Sequence, residues 1–202
     1  MQGQLFAKDE ISVLSHDRGN VTYYAGFLEG SEADAAFDAA SRESYRQERI
    51  TIHGRTHDVP RLTQWYSSEG RGYMYSGIDM APNPYPKFIV QLADRISHHT
   101  NLAFNSVLIN VYRDGRDKVG WHSDDERELG DEIDIASLSL GAERPFKLRE
   151  RCNHANVVEL PLSHGSLLVM RHPTQLHWQH CLPARRAVTA ARYNLTFRFI
   201  DH

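Results

Sequence analysis

The spacing of apolar residues predicts two helices in the first half of the chain. A Ser31–Asp34 pair, typical of a capping box, precedes apolar residues at helical spacing and predicts a helix over about 32–45. The apolar residues of this stripe are Ala33, Ala36, Phe37 and Ala40. A second helix is expected to begin at Pro86, a favourable first-turn residue. Its apolar stripe consists of Phe88, Ile89, Leu92 and Ile96. Both helices are expected to buttress a sheet.

The rest of the chain is rich in short β segments. Residues 50–57 predict a hairpin that turns at His53 and Gly54, and residues 67–72 predict a loop. Seven further segments, separated by Gly and Pro, have the pattern of strands and span residues 106–113, 133–141, 145–152, 157–162, 166–170, 177–182 and 193–200. Their close spacing favours a sandwich, jelly roll or barrel over a parallel α/β sheet. The predicted class is α+β, mainly β, with function inside the β unit or at its mouth.

The last predicted strand alternates polar and apolar residues without a break. Period two places Arg192, Asn194, Thr196 and Arg198 on one face. An edge strand facing water would show the same alternation. Two arginines on an inward face would instead require anionic partners, which a dicarboxylate ligand supplies. Asn110 and Tyr112 also share one face of their strand.

The composition indicates one folded domain. With 202 residues, 41% hydrophobic and 24% charged, the chain is long enough for one core over residues 1–202. Cys152 and Cys181 cannot form a disulfide framework, and the first 11 residues lack the apolar stretch of a signal peptide. No run approaches the length of a membrane span. The sequence therefore predicts a soluble, intracellular protein that needs no membrane.

Charge is distributed unevenly along the chain. The net charge of −3 argues against a generally basic nucleic-acid binder. However, residues 124–134 contain seven acids and one Arg, whereas residues 183–198 contain four Arg and no acid. Arginines also alternate with aromatic residues over 46–75, which suits phosphates and stacked bases. Solvated arginines over core aromatic residues would give the same composition, and both interpretations stay open.

His122 and Asp124 form a candidate metal site. Two residues apart in an extended segment, they project to the same side, and a second histidine would complete a set that leaves one side of an iron open. About one or two such His-x-acid matches are expected by chance in this composition. The candidates for the further histidine are His164, His172, His177 and His180. Spacing alone does not choose among them.

Several motifs, taken together and in order, resemble the AlkB family, in particular its branch of human DNA-repair homologues. Those enzymes are Fe(II)- and 2-oxoglutarate-dependent dioxygenases that repair alkylated bases. The motifs are NVYRDG (110–115), WHSDDE (121–126), ASLSLGA (136–142), HGSLL (164–168), HWQH (177–180) and RYNLTFR (192–198). The resemblance covers about residues 49–200. The fold it implies is a double-stranded β-helix, a jelly-roll variant, with residues 105–202 as its catalytic core.

The resemblance also implies roles for individual residues. His122, Asp124 and His180 would bind iron, and His177 would lie outside the ligand set. The 2-oxoglutarate site would consist of Asn110, Tyr112, Arg192, Asn194, Thr196 and Arg198. Arg198 is expected to meet the distal carboxylate.

Residues 15–104 would then hold the helices and a nucleotide-recognition lid. Tyr75 is expected to stack on the flipped base, and further contacts are expected from Arg61, Tyr73, Ser76, Asp125 and Glu126. Core packing is the alternative for both tyrosines. At the hairpin, Ile52-His53-Gly54 stands where a relative that acts on duplexes inserts a Phe, and His53, Gly54 and Arg55 are expected to contact the substrate. Because His is smaller and more polar, single-stranded substrates become more plausible.

The implied activity is oxidative demethylation of 1-methyladenine and 3-methylcytosine in DNA, with RNA as a further candidate. Fe(II), 2-oxoglutarate and O₂ would be consumed or bound, with release of formaldehyde, succinate and CO₂. The expected partner is alkylated DNA, single-stranded in the first place and double-stranded as a second candidate. The chain is expected to be a monomer in the cytoplasm of a bacterium or the nucleus of a eukaryote. Three rival classes are an oxygenase for a small molecule or protein side chain, a non-catalytic metal-binding module, and a structural interaction protein.

Overall fold

Two antiparallel sheets form most of the structure. The computed structural model describes residues 10–52, 54–70, 72–75 and 78–200. In chain order the strands are β1 (Glu10–His16), β2 (Gly19–Tyr24), β3 (Arg49–Ile52), β4 (Arg55–Asp58), β5 (Leu62–Ser67), β6 (Tyr73–Tyr75), β7 (Ile78–Met80), β8 (Ser106–Tyr112), β9 (Val119–His122), β10 (Ile135–Gly141), β11 (Arg144–Glu150), β12 (Val157–Leu162), β13 (Leu167–Arg171), β14 (Trp178–Leu182) and β15 (Arg192–Arg198). The helices are α1 (Gly30–Ser41), α2 (Lys87–Thr100) and α3 (Thr174–His177), with one 3-10 turn at Arg127–Leu129.

The larger sheet has the strand order β1-β2-β13-β10-β15-β8-β5, and the smaller sheet has the order β12-β11-β14-β9. One core lies between them, where Leu108 and Met170 of the larger sheet meet Leu148 and Leu182 of the smaller. Two short hairpins, β3-β4 and β6-β7, complete the strands. The jelly-roll prediction is therefore confirmed, and so are all seven predicted strands after residue 104.

Helices α1 and α2 cover the other face of the larger sheet. Ala36 of α1 and Ile89 of α2 belong to a second core that includes Ile109 and Leu195. Because successive side chains of a strand point to opposite faces, this apolar cover fixes which residues of β8 and β15 face the smaller sheet. The alternation of β15 thus has a physical cause. β15 lies between β10 and β8, so it is not an edge strand.

The predicted start of α1 was wrong by about two residues. The helix begins at Gly30, and the backbone N–H of Glu29 donates to the Glu32 carboxylate at 3.2 Å. The reciprocal pair of a capping box is therefore Glu29–Glu32 rather than Ser31–Asp34. The helix also ends earlier, at Ser41. The prediction for α2 is confirmed, with Pro86 as the residue before its first turn.

Several strands were not predicted. β1, β2 and β5 extend the larger sheet from the chain before residue 105. β9 is short and carries a bulge against β14, because two residues of β9 lie opposite a single residue of β14. The β3-β4 hairpin is confirmed, with Gly54 at φ +74°, while His53 lies outside the described residues. No helix among the described residues is long and apolar enough to cross a membrane.

One close approach of two loops yields a test of the fold. The Gly115 N–H donates to the Val188 carbonyl at 2.7 Å, and the Arg185 N–H donates to the Gly115 carbonyl at 2.7 Å. A Cβ on Gly115 would collide with the Arg185 backbone. We expect Gly115→Ala to lower the free energy of unfolding by about 1–3 kcal/mol, as overpacking does. Urea denaturation measures this change. Gly30→Ala is the control, since a Cβ at that position would meet no atom within 4 Å, and equal stabilities of the two variants would contradict the expectation.

Candidate active site

A polar cavity lies between the two sheets. It is lined in part by apolar residues such as Leu108 and Phe146, but most of the residues that line it are polar or charged. Every residue expected to bind metal or 2-oxoglutarate contributes to it, namely Asn110, Tyr112, His122, Asp124, His180, Arg192, Asn194, Thr196 and Arg198. The cavity therefore collects residues from β8, β9, β14 and β15 that are far apart in sequence.

His122, Asp124 and His180 converge at one end of this cavity. The antiparallel pairing of β9 with β14 places His122 directly opposite His180, with ring centroids 4.2 Å apart. The Asp124 Oδ1 lies 3.5 Å from the His122 Nε2 and 3.9 Å from the His180 Nε2. All three ligand atoms lie within 4.8 Å of one another. Asp124 and His180 are buried, whereas the His122 side chain is 26% exposed.

The other candidate histidines have different surroundings. The His164 Nδ1 accepts from the Gly141 N–H at 2.8 Å, and its Nε2 lies 3.2 Å from Asp34. His177 ends α3, and its carbonyl accepts from the Arg151 N–H. Spacing in the sequence did not show which histidine lies beside His122 and Asp124. In the structure, the register of β14 against β9 places His180 there.

Hydrogen bonding and burial prepare both imidazoles to bind a cation. The His122 Nδ1 lies 2.9 Å from the Gly120 carbonyl, which can only accept, so this contact favours the tautomer with its hydrogen on Nδ1 and a lone pair on Nε2. Burial lowers the pKa of His180 to about 3, and the nearby His122 acts in the same direction. His180 is therefore neutral at physiological pH, the form in which imidazole coordinates metals.

Asp124 is compensated on one oxygen only. Its Oδ2 accepts from the Arg198 Nη2 at 2.6 Å and from the Arg198 Nε at 3.1 Å. Burial raises the pKa of Asp124, but Arg198 and the two histidines outweigh it, and the pKa falls below its ordinary value. The Oδ1 is buried with no hydrogen-bond donor among the described residues. This orphaned oxygen, faced by two imidazole nitrogens, fits a divalent cation.

The backbone of Asp124 is also held in place. Its N–H donates to the Gln175 Oε1 at 3.1 Å, and the neighbouring Ser123 hydroxyl donates to the Trp178 carbonyl at 3.0 Å. Gln175 is buried at the start of α3. Sequence reasoning missed this contact, because it joins residues 51 positions apart and no local pattern indicates it.

Arg192 lies buried elsewhere in the same cavity. Its Nη2 donates to the Ser139 hydroxyl at 2.9 Å, and its guanidinium is 5.3 Å from the centre of the Tyr112 ring. Its Nε has no acceptor within the described part of the chain. Burial lowers the pKa of Arg192 to about 10, so it remains a cation at neutral pH. Among the described residues no carboxylate pairs with it. A buried cation of this kind indicates a site for an anionic ligand.

The remaining polar residues of β15 and β8 make hydrogen bonds within the cavity lining. The Asn194 Nδ2 donates to the Ser137 hydroxyl at 2.8 Å, and the Thr196 hydroxyl donates to the Asn194 Oδ1 at 3.1 Å. The Asn110 Oδ1 accepts from the Arg61 Nε at 2.7 Å. Arg61, expected at the substrate, is thus buried in the cavity lining beside a residue expected at the cofactor.

Of the other residues expected to contact the substrate, those whose side chains the structure describes do not line the cavity. Asp125 is exposed and pairs with Arg151 at 3.2 Å, and Glu126 is half-buried. Gly54 and Arg55 are exposed on the β3-β4 hairpin and are absent from the cavity lining described above. Tyr73 and Tyr75 belong to β6, which pairs with β7. His53 and Ser76 lie outside the described residues.

Two packed β-sheets with two histidines and one carboxylate on one side of a cavity define a mononuclear, non-haem metal site of the kind that oxygenases use. The model of the 2OG-Fe(II) oxygenase superfamily matches residues 20–198, and the chain belongs to this superfamily. The family implies Fe(II), 2-oxoglutarate and O₂ as its cofactor and co-substrates.

Similar proteins support the AlkB resemblance. Human DNA oxidative demethylase ALKBH2 is 42% identical over 181 residues, which is 84% of this chain and 69% of that protein. Bovine alpha-ketoglutarate-dependent dioxygenase alkB homolog 3 is 39% identical over 201 residues, which is 95% of this chain and 70% of that protein. The prediction of the AlkB family is confirmed. This chain spans about two thirds of the length of these relatives.

Two solved structures share the fold. The structure of OsALKBH1 superposes with a TM-score of 0.65 at 16% identity and covers 92% of this chain and 99% of that one. An oxidoreductase of the 2OG-Fe(II) oxygenase family from Burkholderia pseudomallei gives a TM-score of 0.60 at 14% identity, covering 90% and 85%. At these identities the likeness concerns the fold alone.

The buried pair of Asp124 and Arg198 yields a stability test. We expect Arg198→Met to lower the free energy of unfolding in EDTA by about 3–5 kcal/mol, because it leaves a buried carboxylate without its cation. The pKa of Asp124 is lowered in the folded state, so this contribution is complete above its ordinary pKa of 3.8 and is lost as the pH falls below it. Urea denaturation across pH measures both effects. Arg186→Met removes an exposed arginine as a control, and a difference between wild type and Arg198→Met that widens toward acid would contradict the assignment.

Proposed function

We propose that this protein is an oxidative demethylase of alkylated nucleic-acid bases. One observation carries the proposal. A cavity combines a one-sided His122, Asp124 and His180 set with the buried cation of Arg192, in a chain 42% identical to a protein named as a DNA oxidative demethylase. The two halves of this cavity match the two requirements of the family, a metal and a dicarboxylate.

His122, Asp124 and His180 would hold the iron. When bound, Fe(II) with 2-oxoglutarate and O₂ supplies the oxidising power to hydroxylate an N-methyl group, with succinate and CO₂ as products. The hydroxymethyl group then leaves as formaldehyde and restores the base. The chain's own residues prepare this site: Gly120 favours one tautomer of His122, and Arg198 leaves one oxygen of Asp124 available.

The contacts of the two buried arginines favour a change in the expected 2-oxoglutarate site. Arg198 was expected to meet the distal carboxylate, but its guanidinium is occupied by Asp124 and therefore lies at the metal end. We assign the distal carboxylate to Arg192, which is buried and has no carboxylate partner among the described residues. Asn110, Tyr112, Asn194 and Thr196 would then form the walls along the cofactor.

The substrate would approach from the exposed side of His122. A base must leave its stack before an enzyme can reach its edge, and a damaged base costs least to extrude. Tyr73, Tyr75 and Ser76 would belong to a lid over the base, and the burial of Met80, at the end of β7, in the core between the sheets supports a lid attached beside this core. Arg61 would act from inside the cavity.

Asp125 and Glu126 would favour positively charged lesions. Both follow the metal carboxylate directly, and 1-methyladenine and 3-methylcytosine carry positive charge. The pairing of Asp125 with Arg151 at 3.2 Å compensates part of the charge of Asp125. Ile52-His53-Gly54 has a histidine in place of the Phe of the apolar wedge, and we propose single-stranded DNA as the preferred substrate, with duplex DNA and RNA as further candidates.

The proposed setting follows from the substrate. A nucleic-acid repair enzyme acts inside the cell, in the cytoplasm of a bacterium or the nucleus of a eukaryote. We propose that it acts as a monomer, because the proposed metal and 2-oxoglutarate sites require no residue from a second copy.

The central test is mass spectrometry of an oligonucleotide that contains 1-methyladenine. After incubation with Fe(II), ascorbate and 2-oxoglutarate, we expect loss of one methyl group with formation of succinate, faster on single strands than on duplexes. Asp124→Ala should abolish both, because it removes the metal carboxylate. Asp131→Ala removes an exposed acid from the same acidic run and should retain activity. Succinate without methyl loss on either strand form would indicate a different substrate, and no metal-dependent turnover would exclude the oxygenase class.

A second test separates the two buried arginines. We expect Arg192→Met to raise the KM for 2-oxoglutarate by about 30-fold or more, since one member of a buried charge pair is lost. Its affinity for Co(II), a spectroscopic substitute for Fe(II), should stay close to that of the wild type. Arg198→Met should weaken Co(II) binding itself, because loss of the two hydrogen bonds that hold the Asp124 carboxylate in position should outweigh the removal of a positive charge. Succinate release and Co(II) titration measure the two effects, and an unchanged KM in Arg192→Met would refute its assignment to the distal carboxylate.

A further inference from the structure

The bulge in β9 lies immediately beside one proposed metal ligand. Paired positions join His122 to His180 and Val119 to Leu182, so β9 has one residue more than β14 over this interval. The residues between are Gly120 and Trp121. A bulge interrupts the backbone ladder and leaves local geometry less constrained by the sheet. Because the Gly120 carbonyl also orients the His122 ring, the position of this bulge sets the direction of the His122 Nε2.

On the outer face of the smaller sheet, the guanidinium of Arg149 contacts both strands that carry the proposed histidine ligands, β9 and β14. Arg149 of β11 pairs in register with Gln179 of β14. Its Nε and Nη2 donate to the same Gln179 Oε1 at 2.9 and 2.8 Å. The guanidinium also lies over the Trp121 ring, 4.4 Å from its centre. Gln179 precedes His180, and Trp121 precedes His122. Arg149 therefore contacts the immediate neighbour of each histidine.

The strand that carries Arg149 is hydrogen-bonded along both of its edges. β11 is the second strand of its sheet and is paired on both sides, with β12 and with β14. The forked contact with Gln179 fixes the plane of the guanidinium, and a planar cation stacks on an indole face in a way that an ammonium cannot. The contacts thus link the bulged strand to the most regular part of the sheet.

We propose that Arg149 is a positioning residue that sets the spacing and orientation of His122 and His180. Arg149 touches neither histidine and acts through Trp121 and Gln179. This role rests on the proposed metal centre, and it gives the outer face of the smaller sheet a part in the affinity and geometry of that centre. Residues that hydrogen-bond a metal ligand directly change metal affinity by about 10–100-fold when mutated, and Arg149, which acts through a neighbour of each ligand, is expected at the lower end of this range.

Whether the loss of Arg149 weakens or strengthens metal binding distinguishes a positioning role from a purely electrostatic one. Removing a positive charge near a divalent cation should strengthen its binding, since like charges repel. Loss of positioning should weaken it. Lys147 provides a matched control, because it lies two residues away on the same strand and pairs with Glu159 at 2.9 Å on the side away from β14. Lys147→Met removes the same charge without touching Trp121 or Gln179.

The experiment compares wild type, Arg149→Met, Arg149→Lys and Lys147→Met by titration with Co(II), following the visible absorption bands. We expect about 10-fold weaker binding and altered band intensities for both Arg149 variants, with Lys147→Met within about twofold of the wild type or tighter. Trp121→Leu should weaken binding, and its effect should be less than additive with Arg149→Met. Thermal unfolding of the metal-free proteins checks that each variant folds.

The outcomes of this experiment test the role of Arg149 separately from the existence of the proposed metal centre. Equal Co(II) affinities and spectra for Arg149→Met and Lys147→Met would overturn the role of Arg149, as would full rescue by Arg149→Lys. A lower melting temperature with unchanged Co(II) binding would show a structural role only and would also overturn it. If wild type itself binds no Co(II), or if Asp124→Ala binds it equally well, the proposed metal centre fails instead.

Discussion

The carboxylate of Asp124 is buried, and this burial constrains much of what surrounds it. A buried charge is costly unless other groups compensate it. Arg198 compensates one oxygen, whereas the other faces only the two imidazoles. The cavity's own residues thus compensate this charge only in part, which fits a bound cation. The same constraint explains why Gln175 and Ser123 hold the backbone of this segment, because a small shift would break the pair with Arg198.

The layers of the fold make such burial possible. Helices α1 and α2 cover one face of the larger sheet with apolar contacts, which leaves its other face to form the cavity wall. A strand buried on both faces can then carry apolar residues toward the helices and polar residues toward the cavity. β15 does this over its whole length, and that is why its sequence resembles an exposed edge strand although it is central.

Much of this architecture was predictable from the chain, and the exceptions have physical causes. The later strands carry strong alternation or apolar runs, but β1 lies at a sheet edge and is mostly exposed, so few of its residues need to be apolar. Alternation showed that Arg192 and Arg198 share a face. It could not show which one reaches the metal end, because that depends on Asp124, 74 positions away. The choice of His180 likewise required the register of β14 against β9.

The unequal exposure of the site also has a consequence for the order of events. His122 is open to solvent on one side, while Arg192 is 2% exposed. If 2-oxoglutarate binds with its far carboxylate on Arg192, it occupies the deepest position, and a base held at the His122 side would cover it. The co-substrate would then have to arrive before the nucleic acid, and succinate would have to wait until the repaired base had left. The burial of Arg192 would thereby impose a fixed order of substrate binding and product release.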